Sequence, residues 1–318
     1  MAVLGIDVSK ADFHCCLIDD SETTRNSFPN SPVGFRQLKK WLKNRGIQQV
    51  LACMEATGQY WEALATDLHE SDHRVAVVNP ARIKAYAQSK LTRTKTDRLD
   101  AALIAQFAQR EQPRLWEPPA AEVRELQALV RHLDDLKMAR AQHLNHLQSP
   151  LLPKVVKASI RKVLATLKAE IEQFEEAIKD HIDRHPSLKG KHELLDSIPG
   201  LGETSAAQVL AEMPYMERFA SARAVAAYAG LCPRIRQSGT SLRSRGHLCK
   251  TGNPRLRRAL FFPALTAMRY NAILKVFADR LRAAGKPRMV VVGAVMRKLL
   301  AIAYAVLKSG RPFRALPV

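Results

Sequence analysis

The hydrophobic pattern of this chain changes character once, near Ala120, and that change limits what the chain can fold into. Before it, strand signals come first. Val3, Leu4, Gly5 and Ile6 form a short apolar run that ends in Asp7. Residues 13–18 and 24–28 predict the next two strands, joined by the polar turn Asp19, Asp20 and Ser21. Residues 32–45 have helical spacing through Phe35, Leu38, Trp41 and Leu42 and stop at Gly46. Residues 50–54 read as a buried strand ending at Glu55. A helix over 60–70, a strand over 75–78, a helix opened by Asn79 and Pro80, and a further helix over 97–110 follow. Three strands and then strand and helix in alternation predict an α/β domain around a mixed sheet.

After residue 120 the period is helical and the runs are long. Leu126, Leu129, Leu133 and Leu136 are spaced three, four, three, and Ile160, Val163, Leu167, Ile171, Phe174 and Ile178 resume the pattern after a break. Pro150 and Pro153 fall in that break and cannot sit inside a helix. The pattern predicts an antiparallel helical hairpin of coiled-coil character. His143 and His146 share one face of its first helix, with no third ligand to make a metal site. Residues 191–318 read as helical and basic, interrupted by a loop over 231–254. The 318 residues therefore divide into domains over 1–115, 116–188 and 189–318, α/β followed by all-α.

The charge is as uneven as the pattern. Residues 1–217 hold 29 basic and 29 acidic side chains, whereas residues 218–318 hold 21 basic ones and a single acid, Asp279. The whole excess of +20 lies in the last third. Such a segment attracts polyanions, nucleic acids above all, and argues against a small-molecule enzyme with no polyanionic partner. Residues 1–10 lack the basic and apolar regions of a signal peptide. The apolar stretch 289–307 carries Arg297 and Lys298 at its middle, which predicts a buried helix rather than a membrane span. Cys15, Cys16, Cys53, Cys232 and Cys249 have no C-x-x-C spacing and read as reduced structural thiols of a cytoplasmic protein, with Cys15 and Cys16 on opposite faces of a strand.

Four acids in the first domain carry a chemical pattern. Asp7 closes the first strand, Glu55 closes the fourth, and Asp97 and Asp100 share a helix face at i, i+3. Each alone is more often a helix cap or a solvated charge, and Asp97 also favours a helix N-terminus. Asp7 and Glu55, however, end apolar strands, where an acid has no structural use. Carboxylates that converge need cations between them. Two Mg²⁺ ions about 3.5–4 Å apart would satisfy them and align an in-line attack at a phosphodiester. The spacing resembles the ribonuclease-H-like fold of Holliday-junction resolvases.

Two further segments suit phosphate. Residues 194–213 read as helix, turn, helix around Ile198, Pro199, Gly200, Leu201 and Gly202, which resembles the helix-hairpin-helix element of DNA-binding proteins. Gly200 and Gly202 permit the turn, and the second helix offers free N–H groups to a backbone phosphate; an ordinary packing corner has the same pattern. The loop then gathers Arg234, Arg236, Ser238, Gly239, Ser241, Arg243, Ser244, Arg245, Lys250 and Arg257 with no acid among them. A serine there is a nucleophile only where a base, a metal or a cationic site activates it.

Taken in order, Gly5 to Lys10, Met54 to Gly58, Asn79-Pro80, Lys95 to Ala101, Ile198 to Gly202, and Ser238-Gly239 through Lys250 to Arg258 resemble the DEDD transposases of insertion sequences, the IS one-ten group. The resemblance spans residues 4 to about 312, with no departure at the positions that would carry chemistry. It implies a RuvC-like (RNase-H-like) domain, a coiled-coil hairpin and a C-terminal transposase domain with the helix-hairpin-helix element. It implies Mg²⁺ held by Asp7, Glu55, Asp97 and Asp100, with Ser238 as the nucleophile. It further implies a structured non-coding bridge RNA that pairs with donor and target DNA, and a homo-oligomer, dimer or tetramer, with no membrane partner.

Three activities follow from these features. In the first, Ser238 attacks a metal-polarised phosphate, leaving a phosphoserine link and a free 3′-hydroxyl, while Arg236, Arg243 and Lys250 clamp the charge. Ser241 and Ser244 are its rivals, and only the match to the family's Ser-Gly pair favours Ser238. In the second, a RuvC-like nuclease or junction resolvase uses water. In the third, the chain is a nucleic-acid scaffold and the acids are idle.

Overall fold

The first five strands form one sheet in the order β3-β2-β1-β4-β5. They are β1 (Val3–Val8), β2 (Asp12–Asp19), β3 (Glu22–Pro29), β4 (Leu51–Glu55) and β5 (Arg74–Val78). β2 runs antiparallel to both β1 and β3, while β4 is parallel to β1 and β5 parallel to β4. Short turns suffice for the antiparallel pairs, and Asp20 takes φ 47° between β2 and β3. The parallel pairs need crossovers, which α1 (Pro32–Lys43) and α2 (Glu62–Glu70) supply. These strands lie in a computed structural model that describes residues 2–20, 22–90, 97–234, 237–238, 242–243 and 247–314, with only the backbone described at 97–99, 237–238 and 242–243. The chain divides after Pro118 into two compact units.

In the first unit both faces of the central strands are covered. Phe35, Leu38, Leu42, Leu64 and Leu68 of α1 and α2 pack against Leu4, Ile6, Phe13 and Met54. On the other face, α3 (Pro80–Ser89) and α4 (Asp97–Glu111) set Ile83, Ile104 and Phe107 against Val3, Leu51, Cys53 and Val78. Such two-sided burial explains the unbroken apolar runs of β1 and β4. Cys15 joins the first cluster and Cys16 packs with Ala101 and Ala105 of α4, so the adjacent thiols do point to opposite faces. Caps fix the helix starts: Ser31 accepts from the Gly34 N–H before α1, and Asn79 from the Ala81 N–H before α3, each followed by proline.

The second unit opens with α5 (Ala121–Leu147) and α6 (Lys154–Arg184), separated by Pro150 and Pro153 as the sequence predicts. They lie antiparallel. His181 near the end of α6 hydrogen-bonds the Glu122 carbonyl at the start of α5 (2.8 Å), and Lys137 meets Glu175 further along (2.7 Å). α7 (Pro186–Asp196), α8 (Glu203–Glu212), a 3-10 turn (Met216–Arg218) and α9 (Ala222–Tyr228) follow. Residues 231–254, expected as loop, contain short strands instead. β6 (Pro233–Arg234) pairs with β9 (His247–Leu248), and β7 (Gln237–Ser238) with β8 (Leu242–Arg243). Two residues are too few to leave a period in the sequence. α10 (Pro254–Ala259), α11 (Phe261–Tyr270), α12 (Ala272–Ala283) and α13 (Arg288–Ser309) complete the unit. α13 is long and apolar enough to cross a membrane, yet Val291, Val295, Leu299, Leu300 and Ala303 are buried in the unit's core.

Candidate functional site

The carboxylates are placed by the sheet. β1 and β4 pair with Ile6 opposite Met54, so Asp7 and Glu55 occupy the next positions on neighbouring parallel strands. Side chains alternate along a strand, which puts Asp7 and Glu55 on the face that Val3, Leu51 and Cys53 present to α4. Both are half-buried, and Glu55 accepts from the Thr57 hydroxyl at 2.8 Å. α4 reaches β1 because residue 5 is glycine. A Cβ there would stand 2.8 Å from the Ala105 Cα, and closer still to the Ala105 nitrogen and the Ala101 carbonyl oxygen. Asp100, half-buried, directly precedes that contact. His14 lies opposite Asp7 in β2, an imidazole that sequence reasoning had no cause to associate with it.

Among the described residues, no three His, Cys, Asp or Glu side chains are grouped to hold a metal ion, so Asp7, Glu55 and Asp100 do not form such a set by themselves. The Asp97 side chain lies outside the described residues, although its backbone begins α4. The donor chemistry is still that of a hard cation: carboxylate oxygens, two of them side by side at strand ends. The nearby thiol is not a competitor, since burial pushes Cys53 up to about 12, against the opposing charge of Arg82.

In the second unit the two turn glycines differ. Gly200 has φ 104°, and a Cβ on it would lie 2.7 Å from the Ala267 Cα of α11, so it serves both the turn and a close packing contact. Gly202 caps α8 at φ −78° with nothing near its Cβ position, which leaves the α8 N-terminus open. Arg234 is exposed on β6, opposite His247. Lys250 is exposed with φ 54°. Arg257 is half-buried and donates to the Ala229 carbonyl at 3.0 Å, which ties it to the base of the basic segment. Ser238 lies on β7 opposite Leu242, with Gln237 opposite Arg243; the side chains of Ser238 and Arg243 lie outside the described residues. So do Arg236, Gly239, Ser241, Ser244 and Arg245 altogether.

Sequence reasoning passed over a polar seam in this unit. Gln127, Arg131 and Asp134 follow one another at i, i+4, i+7 on α5 and meet α8. Gln127 donates to the Ala211 carbonyl (2.9 Å), Arg131 to Glu212 (3.0 Å), and Gln208 to Asp134 (2.6 Å). Burial raises the Asp134 carboxyl above its ordinary value, and the Gln208 hydrogen bond opposes that shift. The available signal was Glu212 itself, an acid between the apolar residues Val209, Leu210 and Ala211 and Met213.

Comparison with known proteins places these features among transposases. The model of the DEDD transposases of the IS110 group matches residues 4–155, and that of the transposase IS116/IS110/IS902 family matches residues 192–279. The pilin gene-inverting protein of Moraxella bovis is 35% identical over 314 residues, covering 98% of this chain and 97% of its own. The transposase for insertion sequence element IS1111A of Coxiella burnetii is 25% identical, covering 84% of this chain and 78% of its own.

Proposed function

The chain belongs to the IS110 group of DEDD transposases, enzymes that recombine DNA, and on that premise we propose a Mg²⁺-dependent, RNA-guided recombinase that works through a phosphoserine intermediate. The pairing of β1 with β4 supports this reading most, because it sets Asp7 beside Glu55 under the helix that carries Asp100. The sheet order β3-β2-β1-β4-β5 accords with a ribonuclease-H-like, RuvC-like first domain. α5 and α6 then form the coiled-coil hairpin, and α7, the Gly200 turn and α8 the helix-hairpin-helix element of the basic transposase domain.

Divalent cations bound here would polarise the scissile phosphate and lower the barrier to its attack. Asp7 and Glu55 would hold them, joined by Asp97 and Asp100 from α4. Ser238 forms the new bond to phosphorus, its proton passes to the departing oxygen, and the products are a phosphoserine and a free 3′-hydroxyl. The link conserves the phosphodiester bond energy, so rejoining to a new strand needs no ATP. Gly200, Gly202, Arg234, Arg236, Gly239, Arg243, Arg245, Lys250 and Arg257 contact the phosphate backbones of DNA and of a structured guide RNA. Base pairing with the guide selects the donor and target. The active form is a homo-oligomer in the bacterial cytoplasm. The name of the Moraxella relative accords with site-specific rearrangement.

A suicide DNA substrate tests the chemistry. With guide RNA and Mg²⁺ the wild-type chain should give an SDS-stable protein–DNA adduct, and Ser238→Ala should give none. Free 5′-phosphate ends without an adduct would establish the water-using nuclease instead. An adduct that survives Ser238→Ala would move the nucleophile to Ser241 or Ser244.

A further inference from the structure

Among the described residues Glu212 is the one buried carboxylate, and both of its oxygens are used. Oε1 accepts from Arg131 Nε of α5 at 3.0 Å, and Oε2 accepts from Asn253 Nδ2 at 2.8 Å. Asn253 is itself fully engaged. Its Oδ1 caps α10 by accepting from the Arg255 and Leu256 N–H groups (2.9 and 3.1 Å), and its own N–H donates to the Tyr228 carbonyl at 2.7 Å. Tyr228 ends α9 and Asn253 immediately precedes α10, so this bond closes the base of the segment that carries Ser238.

Above that base the two strands of the segment are stitched in sequence. The Lys250 N–H donates to the Gly230 carbonyl (3.2 Å) and the Cys249 N–H to the Cys232 carbonyl (2.8 Å), and the β6–β9 ladder follows. Gly252 lets the strands close: a Cβ there would lie 2.6 Å from the Gly230 nitrogen. Residues 230–234 and 247–252 therefore form a stem at the base of the segment, and Glu212 grips its foot from another element.

Burying a carboxylate is unfavourable unless donors compensate, and a buried ion pair adds little net stability over apolar packing. What it adds is direction, because only one arrangement satisfies every donor and acceptor. We propose that Glu212 is a positioning residue. It orients Asn253, thereby fixes the stem that presents Ser238, and through Arg131 couples that stem to the helical hairpin. The link to chemistry rests on the serine reading above, whereas the grip on the stem does not.

Exchanging the two partners makes the idea testable. In Glu212→Gln one acceptor becomes a donor while Arg131 and Asn253 both still donate, so one contact must fail. In the double variant Glu212→Gln with Asn253→Asp, the amide introduced at position 212 would accept from Arg131 and donate to the carboxylate introduced at position 253, which still caps α10. Two readouts are followed on the full chain: hydrogen exchange at the Cys249, Lys250 and Asn253 amides, and the rate of adduct formation at saturating DNA and guide RNA. Glu212→Gln should speed exchange at these amides about tenfold or more and leave α13 protected. It should slow adduct formation by about tenfold with nucleic-acid affinity unchanged, and the double variant should recover both. Should Glu212→Gln not fold, Asn253→Ser, which keeps the cap and loses the reach to Glu212, is read the same way. Unchanged amide exchange, or a double variant no better than the single, would overturn the proposal. If the wild-type chain makes no serine adduct, the serine reading fails and the exchange measurement alone decides the role of Glu212.

Discussion

Gly5 of β1 lies directly beneath Ala105 of α4, so close that a Cβ on Gly5 would come within 2.8 Å of the Ala105 Cα. This contact seats the helix that carries Asp100 on the sheet face that carries Asp7 and Glu55. Gly5→Ala should drive the helix off the strand, since the atoms it meets belong to backbone that cannot swing aside. The first unit should lose about 3 kcal/mol of stability, read by denaturant unfolding, and Mg²⁺-dependent cleavage should fall with it.

Asp7→Asn and Glu55→Gln keep the shape of each side chain and remove its charge. Each should lower Mg²⁺-dependent DNA cleavage by about a hundredfold or more, because a metal contributes several kcal/mol to such a transition state. Binding of DNA by the basic segment should persist in a gel-shift assay. Chelation should abolish wild-type cleavage, and added Mg²⁺ should restore it to the wild-type chain only.

His73 makes the first unit sensitive to acid. Burial lowers its pKa below the ordinary 6.5, Lys39 acts in the same sense, and Asp67 and Asp72 oppose them. The folded chain therefore binds this proton less readily than the unfolded chain. Stability is complete above pH 6.5 and declines as the pH falls through that value, by at most about 1.4 kcal/mol per pH unit for one proton. Denaturant titrations at pH 7.5 and 5.5 should show the decline, and His73→Leu should flatten it. An equal slope in His73→Leu would assign the acid sensitivity to another group.

The two glycines of the α7–α8 turn should respond differently. Gly200→Ala combines a left-handed backbone, φ 104°, with a clash against α11, and should destabilise the second unit by about 3 kcal/mol. Gly202→Ala meets nothing and should change stability by less than about 1 kcal/mol. Thermal unfolding of the two variants separates the glycine that packs from the glycine that leaves a helix end open.

Much of the first unit was legible because its signals are local. The run from Val3 to Asp7 and the run closing at Glu55 read as strands from a few neighbouring residues, and Asn79-Pro80, like Pro150 and Pro153 in the second unit, marks a helix boundary wherever it occurs. The ladders β6–β9 and β7–β8 were not legible, since two-residue strands carry no period. Glu212 and Asn253 were not read as partners either; they meet across 41 positions, through the packing of α5, α8 and α10.

Sequence alone determined the strand and helix signals, the break near Ala120, and the concentration of positive charge after residue 217, because these depend on periodicity and composition along the chain. Tertiary structure alone decided that Asp7 stands beside Glu55, that α4 rests on Gly5, and that Glu212 holds Asn253. Those relationships depend on strand register and on which helix faces meet, and register and packing are set by the whole buried surface at once rather than by any stretch of neighbours.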